Sequence, residues 1–542
     1  MEISSENKIG YSLISIDKNI LHMLTNIVKC YANSYKMMQA DELLDNNIML
    51  FKGYEPFVIV KWIDESRTRS LNRLIHGFDF IDFLLAAYLK SGLNKYIDKV
   101  VEYVNSYFNE ISYISHRDTF AFHDETTALR VENCLKLLVY AYPCLNDRFL
   151  NLLLFHLGEN LRMLYDEKFF SGYNNHGMFQ SLSLLKGSIL FSHKEGKMFM
   201  QKALDRLNNY FMNSFTSEGI HNENSPMYHI IVLHKLDIYL NILRDLKLNI
   251  PLKLLETQKS GYEFINCISN KDGVLLPMGD TTKNYNLHDT VYVDHCEELC
   301  KKSKPFIVYP KSGYAFFYDT TIDMYACFSA FYNADYHKHS DDLQIIVDLN
   351  GQMLIDPASP GYQYNDPYVQ YGRSSLAHNT LTVDGKDLYL KKNEKLVYVT
   401  SYNRSEESAF VSGINKRHTG VEHKRSIKYS WISHIFTIND IVNGENKHEY
   451  CFNWNFSPGI VLETIPNGFV IVREDMRIAN FELSCALPYK ISIINGQIKP
   501  YIYGFCFNEH YMPEPCPSVQ FIFTKTNNVE IEWKLKLFKD II

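Results

Sequence analysis

The run LQIIVDLNGQMLID, residues 343–356, decides the fold class of the C-terminal half. Two β-branched, apolar stretches flank Asn350-Gly351, and Asn-Gly is the pair best suited to a two-residue hairpin turn. The same texture continues downstream in SIKYSWISHIFTIND, GFVIVRED and VQFIFTK, with further turns marked by Pro466-Asn467-Gly468 and Asn495-Gly496. Many short strands with frequent turns predict an antiparallel β-sandwich. Upstream the period changes. In TALRVENCLKLLVYA, residues 127–141, Ala128, Val131, Leu135 and Leu138 recur at steps of three and four, which is a helical face. The spacing recurs over 80–90, 96–112, 147–165, 196–215, 226–246 and 252–268, predicting an all-helical layer or ring. The expected division is a helical domain over 1–305 and a sandwich over 306–542, with the junction in KKSKPFIVYPKS, residues 301–312.

The chain has 542 residues, enough for two large domains, with 46% hydrophobic and 22% charged residues. Its net charge of −7 argues against a nucleic-acid partner, because that affinity rests on massed Lys and Arg. A polyanionic sugar needs only a local basic cleft. The 38 Tyr and 34 Phe suit carbohydrate-stacking clefts and equally a Tyr-rich genome bias. Eleven Cys are scattered without a disulfide spacing, and Cys134 and Cys327 sit in apolar runs. Cys296 and Cys300 beside His295 read as incidental thiols on a helix more readily than as a zinc site. No secretory signal and no apolar run long enough to span a membrane is visible, so the expected location is cytoplasmic, or periplasmic or secreted if a signal was removed.

Four clusters concentrate reactive side chains. In Phe122-His123-Asp124-Glu125-Thr126-Thr127, followed by Arg130, the Asp and Thr suit a helix N-terminus, while His123 or Arg130 can line a cleft at its mouth. Tyr173-Asn174-Asn175-His176-Gly177 reads either as a loop and cap or as an amide and an imidazole aimed at a carboxylate. In the segment His221–His229, Pro226 suits a first helical turn, which places Tyr228 there as packing or as a catalyst. The fourth cluster is Tyr336-His337-Lys338-His339-Ser340-Asp341-Asp342, followed by Asp356, Arg373 and His378. His-x-His on extended chain puts both rings on one face, and a carboxylate with a third His completes a set that suits Zn²⁺; otherwise this is a solvated loop. A regular ladder about the Asn350 turn pairs Asp356 with Ile345, roughly 20 Å from His339, so a metal site requires residues 336–341 to fold back.

Together the elements HDETTALR, NNHG, ENSPMYH, YHKHSDDLQIIVDLNGQMLIDP and RSSLAHNTLTVDG, in that order across residues 123–385, resemble the heparinase II/III-like polysaccharide lyases and the related alginate and oligoalginate lyases. The resemblance implies an incomplete (α/α) toroid followed by an antiparallel β-sandwich. It also implies cleavage of a uronic-acid-containing polysaccharide by β-elimination. Asn175 with His176 would neutralise the substrate carboxylate, Tyr228 would serve as acid and also as base, and His337 matches the catalytic His. His339, Asp356 and His378 match ligands of one structural divalent metal, Zn²⁺. His123, Arg130, Glu223, Tyr364 and Arg373 are expected to contact substrate. For a second sandwich tyrosine, Tyr362, Tyr364, Tyr368 and Tyr371 compete.

These residue types fit the chemistry. Removing the C5 proton of a uronic acid builds negative charge on the adjacent carboxylate, which an oriented amide and imidazole stabilise. A tyrosine acting as base at neutral pH needs a positive neighbour, for which Arg130, a charged His or the metal are candidates. If Tyr228 and His337 face opposite sides of the sugar, either configuration at C5 is served, and the metal would orient His337. Two other classes are consistent with the chain. One is a glycoside hydrolase using Asp124, Glu125 or Glu223, and the other is a non-catalytic polysaccharide-binding or capsule-assembly protein.

Overall fold

A computed structural model describes residues 18–30, 33–51, 54–111, 113, 116, 119–191, 194–289, 304–388 and 395–539. The expectation for His295, Cys296 and Cys300 lies outside these residues. The helical half contains Asp79–Ser91, Lys95–Glu110, Asp124–Ala141, Asp147–Tyr165, Lys194–Asn213, Pro226–Asp245 and Leu252–Ile268, matching the seven periodic segments. It also contains Lys18–Ile27, Ser34–Asp45, Arg69–His76 and Asn175–Ser188, which periodicity did not single out. A two-residue ladder, Ile48–Met49 with Phe57–Val58, is the one strand pair in that half among the described residues. No described helix is long and apolar enough to cross a membrane.

The strands begin at Phe306. Five form an antiparallel meander (Phe306–Tyr309, Tyr314–Asp319, Met324–Ser329, Ile345–Leu349 and Gln352–Leu354). A ten-stranded antiparallel sheet is built on two 21-residue strands, Ile435–Asn455 and Pro517–Leu537, paired along their length. Inward residues of both sheets share one core, including Phe317, Phe328, Ile345, Tyr429, Phe436, Trp454 and Trp533. Val421–Ser430 shows why the sequence folds this way, because its odd-numbered residues are buried and its even-numbered ones are not. The Asn350-Gly351 turn does join the two strands, with Asn350 at φ 49° and Gly351 at φ 109°, but the ladder shifts register between Val347 and Asp348, so that Asp348 pairs with Gln352.

By packing, the chain divides into two compact units, Met1–Ser214 with Asp237–Pro251, and Phe215–Leu236 with Leu252–Ile542. The Glu223–Tyr228 segment and the stretch around Asp280 therefore belong with the sheets. The change from helix to strand and the division by packing fall at different places.

Arg130, expected at the cleft, is instead fully buried in the helical unit. Its Nη1 donates to His76 O and Ala121 O at 2.8 Å and to the Tyr107 hydroxyl at 3.2 Å, while Nε and Nη2 donate to Asn160 Oδ1. Every donor atom is spent on four other segments of the chain, so this arginine is structural. Arg130→Met would strand two buried carbonyls and is expected to cost about 3 kcal/mol of stability, read by urea unfolding. A near-wild-type midpoint would refute that role.

Candidate active site

In the helical unit, Asn174 caps the helix Asn175–Ser188 by accepting from Gly177 N at 3.0 Å. Gly177 is required because a Cβ there would lie 1.8 Å from Gly172 O. Asn175 is 8% exposed, and Tyr210 donates its hydroxyl proton to Asn175 Oδ1 at 2.5 Å, which fixes the amide with its NH₂ on the other side. His176 Nδ1 lies 3.2 Å from both oxygens of Asp124, which also accepts from Ser171. Burial opposes charge on Asp124, but the close approach of His123 and the hydrogen bonds from His176 and Ser171 overcome it and hold this carboxyl far below its ordinary range. In return Asp124 raises the pKa of His176. His123 stacks on Phe120 and accepts from Arg69 Nη2 at 3.0 Å, and its Nδ1 lies 2.6 Å from Asp124 but off the line of a good hydrogen bond. Asp124 is thus hydrogen-bonded to His176 and lies against His123, a role beyond helix capping.

The denser group lies in the sandwich unit. Tyr228 stands in the first turn of Pro226–Asp245, and its ring stacks on His337 with centroids 3.6 Å apart and planes 19° from parallel. The two rings therefore do not face each other across a sugar, since 3.6 Å leaves no space for one; they present one surface. The Tyr228 hydroxyl lies 3.1 Å from that of Tyr362. Tyr362 is the sandwich tyrosine that reaches the site. Tyr371 is buried and bonded to Phe505 O, and exposed Tyr364 carries the Arg373 guanidinium over its ring at 5.3 Å.

His337 is gripped from both nitrogens. Nδ1 lies 2.6 Å from Asp280 Oδ2, and Nε2 lies 3.3 Å from Glu223 Oε2. Burial opposes its charge, yet the two carboxylates more than compensate and push its pKa up to about 9. It is imidazolium at neutral pH. Its contribution to stability is complete below its ordinary pKa of about 6.5 and is lost as pH rises through about 9. Burial, with Asp280 and Glu223, pushes the Tyr228 phenol well above its ordinary value, so it stays protonated. Asp280, which no motif announced, also accepts from Arg373 Nη1 at 3.0 Å and lies 3.0 Å from His339 Nε2. Glu223 and Arg373, expected to contact substrate, are thus tied to His337 and Asp280. Asn224, at φ 56°, donates from Nδ2 to Ala334 O and Tyr336 O at 2.7 and 2.9 Å and so sets the turn on which His337 sits, itself at φ 56°.

Of the three residues expected to hold a metal, two imidazoles lie near each other and the carboxylate is engaged elsewhere. Residues 336–343 do fold back from the ladder, bringing the His339 and His378 rings to 5.4 Å between centroids. His339 Nδ1 and His378 Nε2 are buried with no hydrogen-bond partner, as open imidazole ligands would be. Asp356 does not fit as it stands, because it accepts from Gln344 Nε2 and Ala358 N and lies 3.1 Å from His378 Nδ1. Among the described residues no three His, Cys, Asp or Glu side chains gather as a metal cage. Orienting His337, the task expected of the metal, is done by Asp280 and Glu223.

If imidazolium is the working form of His337, kcat/KM should fall on the alkaline side with an apparent pKa of about 9. Asp280→Asn removes the stronger partner and should move that limb down by about one unit or more, towards 6.5. A pH–rate profile whose alkaline limb ignores Asp280 would defeat the assignment.

Two family models match the sequence, Heparinase II/III N-terminus over residues 18–286 and Heparinase II/III-like, C-terminal over 301–505. No curated protein matches. Among solved structures, heparinase III superposes with a TM-score of 0.78 at 15% identity, covering 95% of this chain and 86% of that one. Heparan sulfate lyase HepC from Pedobacter heparinus gives 0.64 at 16% identity, covering 94% and 84%. The chondroitin AC lyase of Streptomyces coelicolor gives 0.57 at 10% identity, covering 96% and 82%. The fold is the one these proteins share, a helical toroid followed by antiparallel β-sheets. On the two family matches, which together run from residue 18 to 505, the chain belongs to the heparinase II/III family of polysaccharide lyases.

Proposed function

We propose that this chain cleaves a uronic-acid-bearing polysaccharide or oligosaccharide by β-elimination, leaving a C4–C5 double bond. One observation carries the reading. A protonated phenol, Tyr228, lies flat against an imidazolium, His337, with a second phenol, Tyr362, in hydrogen-bond reach. β-Elimination takes a proton from C5 and returns one to the oxygen leaving C4, so the catalyst needs no net change of protonation. The tyrosine pair suits this. Tyr228 would take the C5 proton as its own passes to Tyr362, and Tyr362 would protonate the departing oxygen. The cation against the Tyr228 ring would stabilise negative charge developing on the phenol or the sugar carboxylate. Asn175, with His176, is retained as the amide that neutralises that carboxylate.

A hydrolase needs a carboxylic acid held protonated. Asp124 is held in the opposite state, Glu125 pairs with Arg73 at 3.2 Å, and Glu223 serves His337. A purely binding protein has no need of a charged imidazole stacked on a phenol. A divalent metal, Zn²⁺ by its ligand chemistry, is proposed at His339 and His378, whose unpartnered nitrogens support it. It would add Lewis acidity or rigidity behind Asp280, and Asp356 would have to release His378 to complete the set.

Acidic polysaccharides should yield ultraviolet-absorbing unsaturated products, heparan sulfate heading the panel because heparinase III and a heparan sulfate lyase are among the similar structures. Neutral glucans should yield none, and glucan turnover would overturn the substrate class. Tyr228→Phe should lower kcat by about 10³-fold or more with the fold intact, and wild-type turnover in that variant would remove Tyr228 from the reaction. Elemental analysis of purified protein should find about one Zn²⁺ per chain, lost in His339→Ala/His378→Ala. Metal-free protein with full activity would eliminate the metal.

A further inference from the structure

A cleft of about 1090 Å³ opens in the sandwich unit beside the turn that carries His337. Tyr336, the residue before His337, and Asn222, the residue before Glu223, both line it. Its volume is at the upper limit of small-ligand sites and is room for more than one sugar ring. Two phenol rings on its walls stay open to solvent, Tyr336 at 57% and Tyr398 at 42% exposure. Two ammonium groups, Lys311 and Lys395, also line it, and neither is in an ion pair among the described residues. Asp335, the one carboxylate in the lining, accepts a hydrogen bond from Tyr332. Nearby Glu218 is spent on the Lys311 and Ser312 backbone N–H groups and the Ser312 hydroxyl. The walls are braced by Thr216 Oγ1 with Ser312 Oγ at 2.8 Å and by Asn333 Nδ2 donating to Ser312 O at 3.3 Å. The cleft is therefore braced by hydrogen bonds, faced with aromatic rings, and carries two unpaired ammonium groups in its lining against the single carboxylate of Asp335.

We infer that this cleft is an accessory subsite that binds further acidic sugar units of the polymer, next to the unit being cleaved. Pyranose rings offer apolar C–H faces to phenol rings and carry their carboxylates and hydroxyls at the edge, where lysines at a cleft rim meet them. Lysine is a flexible point charge, which suits an extended chain of varied acidic substitution. The position supplies binding energy remote from the bond that breaks, so longer chains are held better than short ones. This inference rests on the lyase reading above.

The test compares Lys311→Ala/Lys395→Ala/Tyr398→Ala with wild type on heparan sulfate tetrasaccharides and decasaccharides, following ultraviolet absorbance. The ratio of decasaccharide to tetrasaccharide KM should rise about tenfold in the variant, and the gap should narrow as salt is raised. The same substitutions in a Tyr228→Phe background, titrated with both oligosaccharides by calorimetry, should weaken decasaccharide binding selectively. Turnover in wild type with an unchanged ratio in the variant would overturn the subsite and leave the lyase reading standing. Selective loss of decasaccharide binding without any wild-type turnover would support the subsite while removing the lyase reading. Neither binding nor cleavage of these probes or of any other acidic polysaccharide in the panel would overturn both.

Discussion

The contact between Asp280 and three basic side chains organises the sandwich-unit site. This carboxylate is 1% exposed, a costly place for a charge unless donors surround it. The donors are His337 and His339 from one loop and Arg373 from the end of the helix Pro367–Arg373, all well separated in sequence from residue 280. Burial alone would neutralise Asp280, but hydrogen bonds from the two imidazoles reverse that and keep it ionised. The backbone is shaped to allow the approach. Gly279 sits at φ 55°, and a Cβ there would meet Asn224 O at 2.6 Å and His337 O at 2.7 Å. The carboxylate, the His337 imidazole and the Asn224 brace are thus one packed object, and removing any of them leaves buried polar groups without partners.

Alternation along Tyr336–Asp342 shows how the site and the sheet are kept in register. His337 and His339 both reach Asp280, as expected of His-x-His, while Lys338 between them turns away into the sandwich. There Lys338 Nζ lies 2.8 Å from Asp342, whose other oxygen is 2.7 Å from Arg417 Nη1. Arg425 extends the clamp: it grips Asp440 with Nε and Nη2 and donates from Nη1 to Leu343 O and Asn379 O. A loop without regular hydrogen bonding is thereby fixed on both sides by charge, at some cost in desolvation, and the return is a His337 ring with little rotational freedom.

What the residues reveal before folding depends on whether the signal is local. Helices with an apolar stripe, such as Asp147–Tyr165, and strands with strict alternation, such as Val421–Ser430, carry their state in their own period. Asn175–Ser188 does not, because twelve of its fourteen residues are buried and no face stands out. The clusters around His176, Tyr228 and His337 were legible because reactive residues are dense there. Asp280 was not, since Met278-Gly279-Asp280 carries no period and its meaning comes only from contacts more than fifty residues away. Arg130 was misread for the complementary reason: an arginine beside a reactive cluster looks like a ligand group until its donors are counted. The choice of Tyr362 among four tyrosines likewise turns on which hydroxyl the chain brings to Tyr228, a fact of tertiary geometry.

The stacked pair also decides how acid and base roles divide. A phenol beside a neutral imidazole would be a conventional base couple, with His337 free to accept a proton. Two carboxylates on the imidazole nitrogens remove that option by filling both lone-pair positions with bound protons. What remains at neutral pH is a fixed cation against a protonated phenol whose one partner of matching acidity is another phenol, Tyr362. In the proposed reaction, proton transfer is therefore given to the two tyrosines, with His337 supplying field and position.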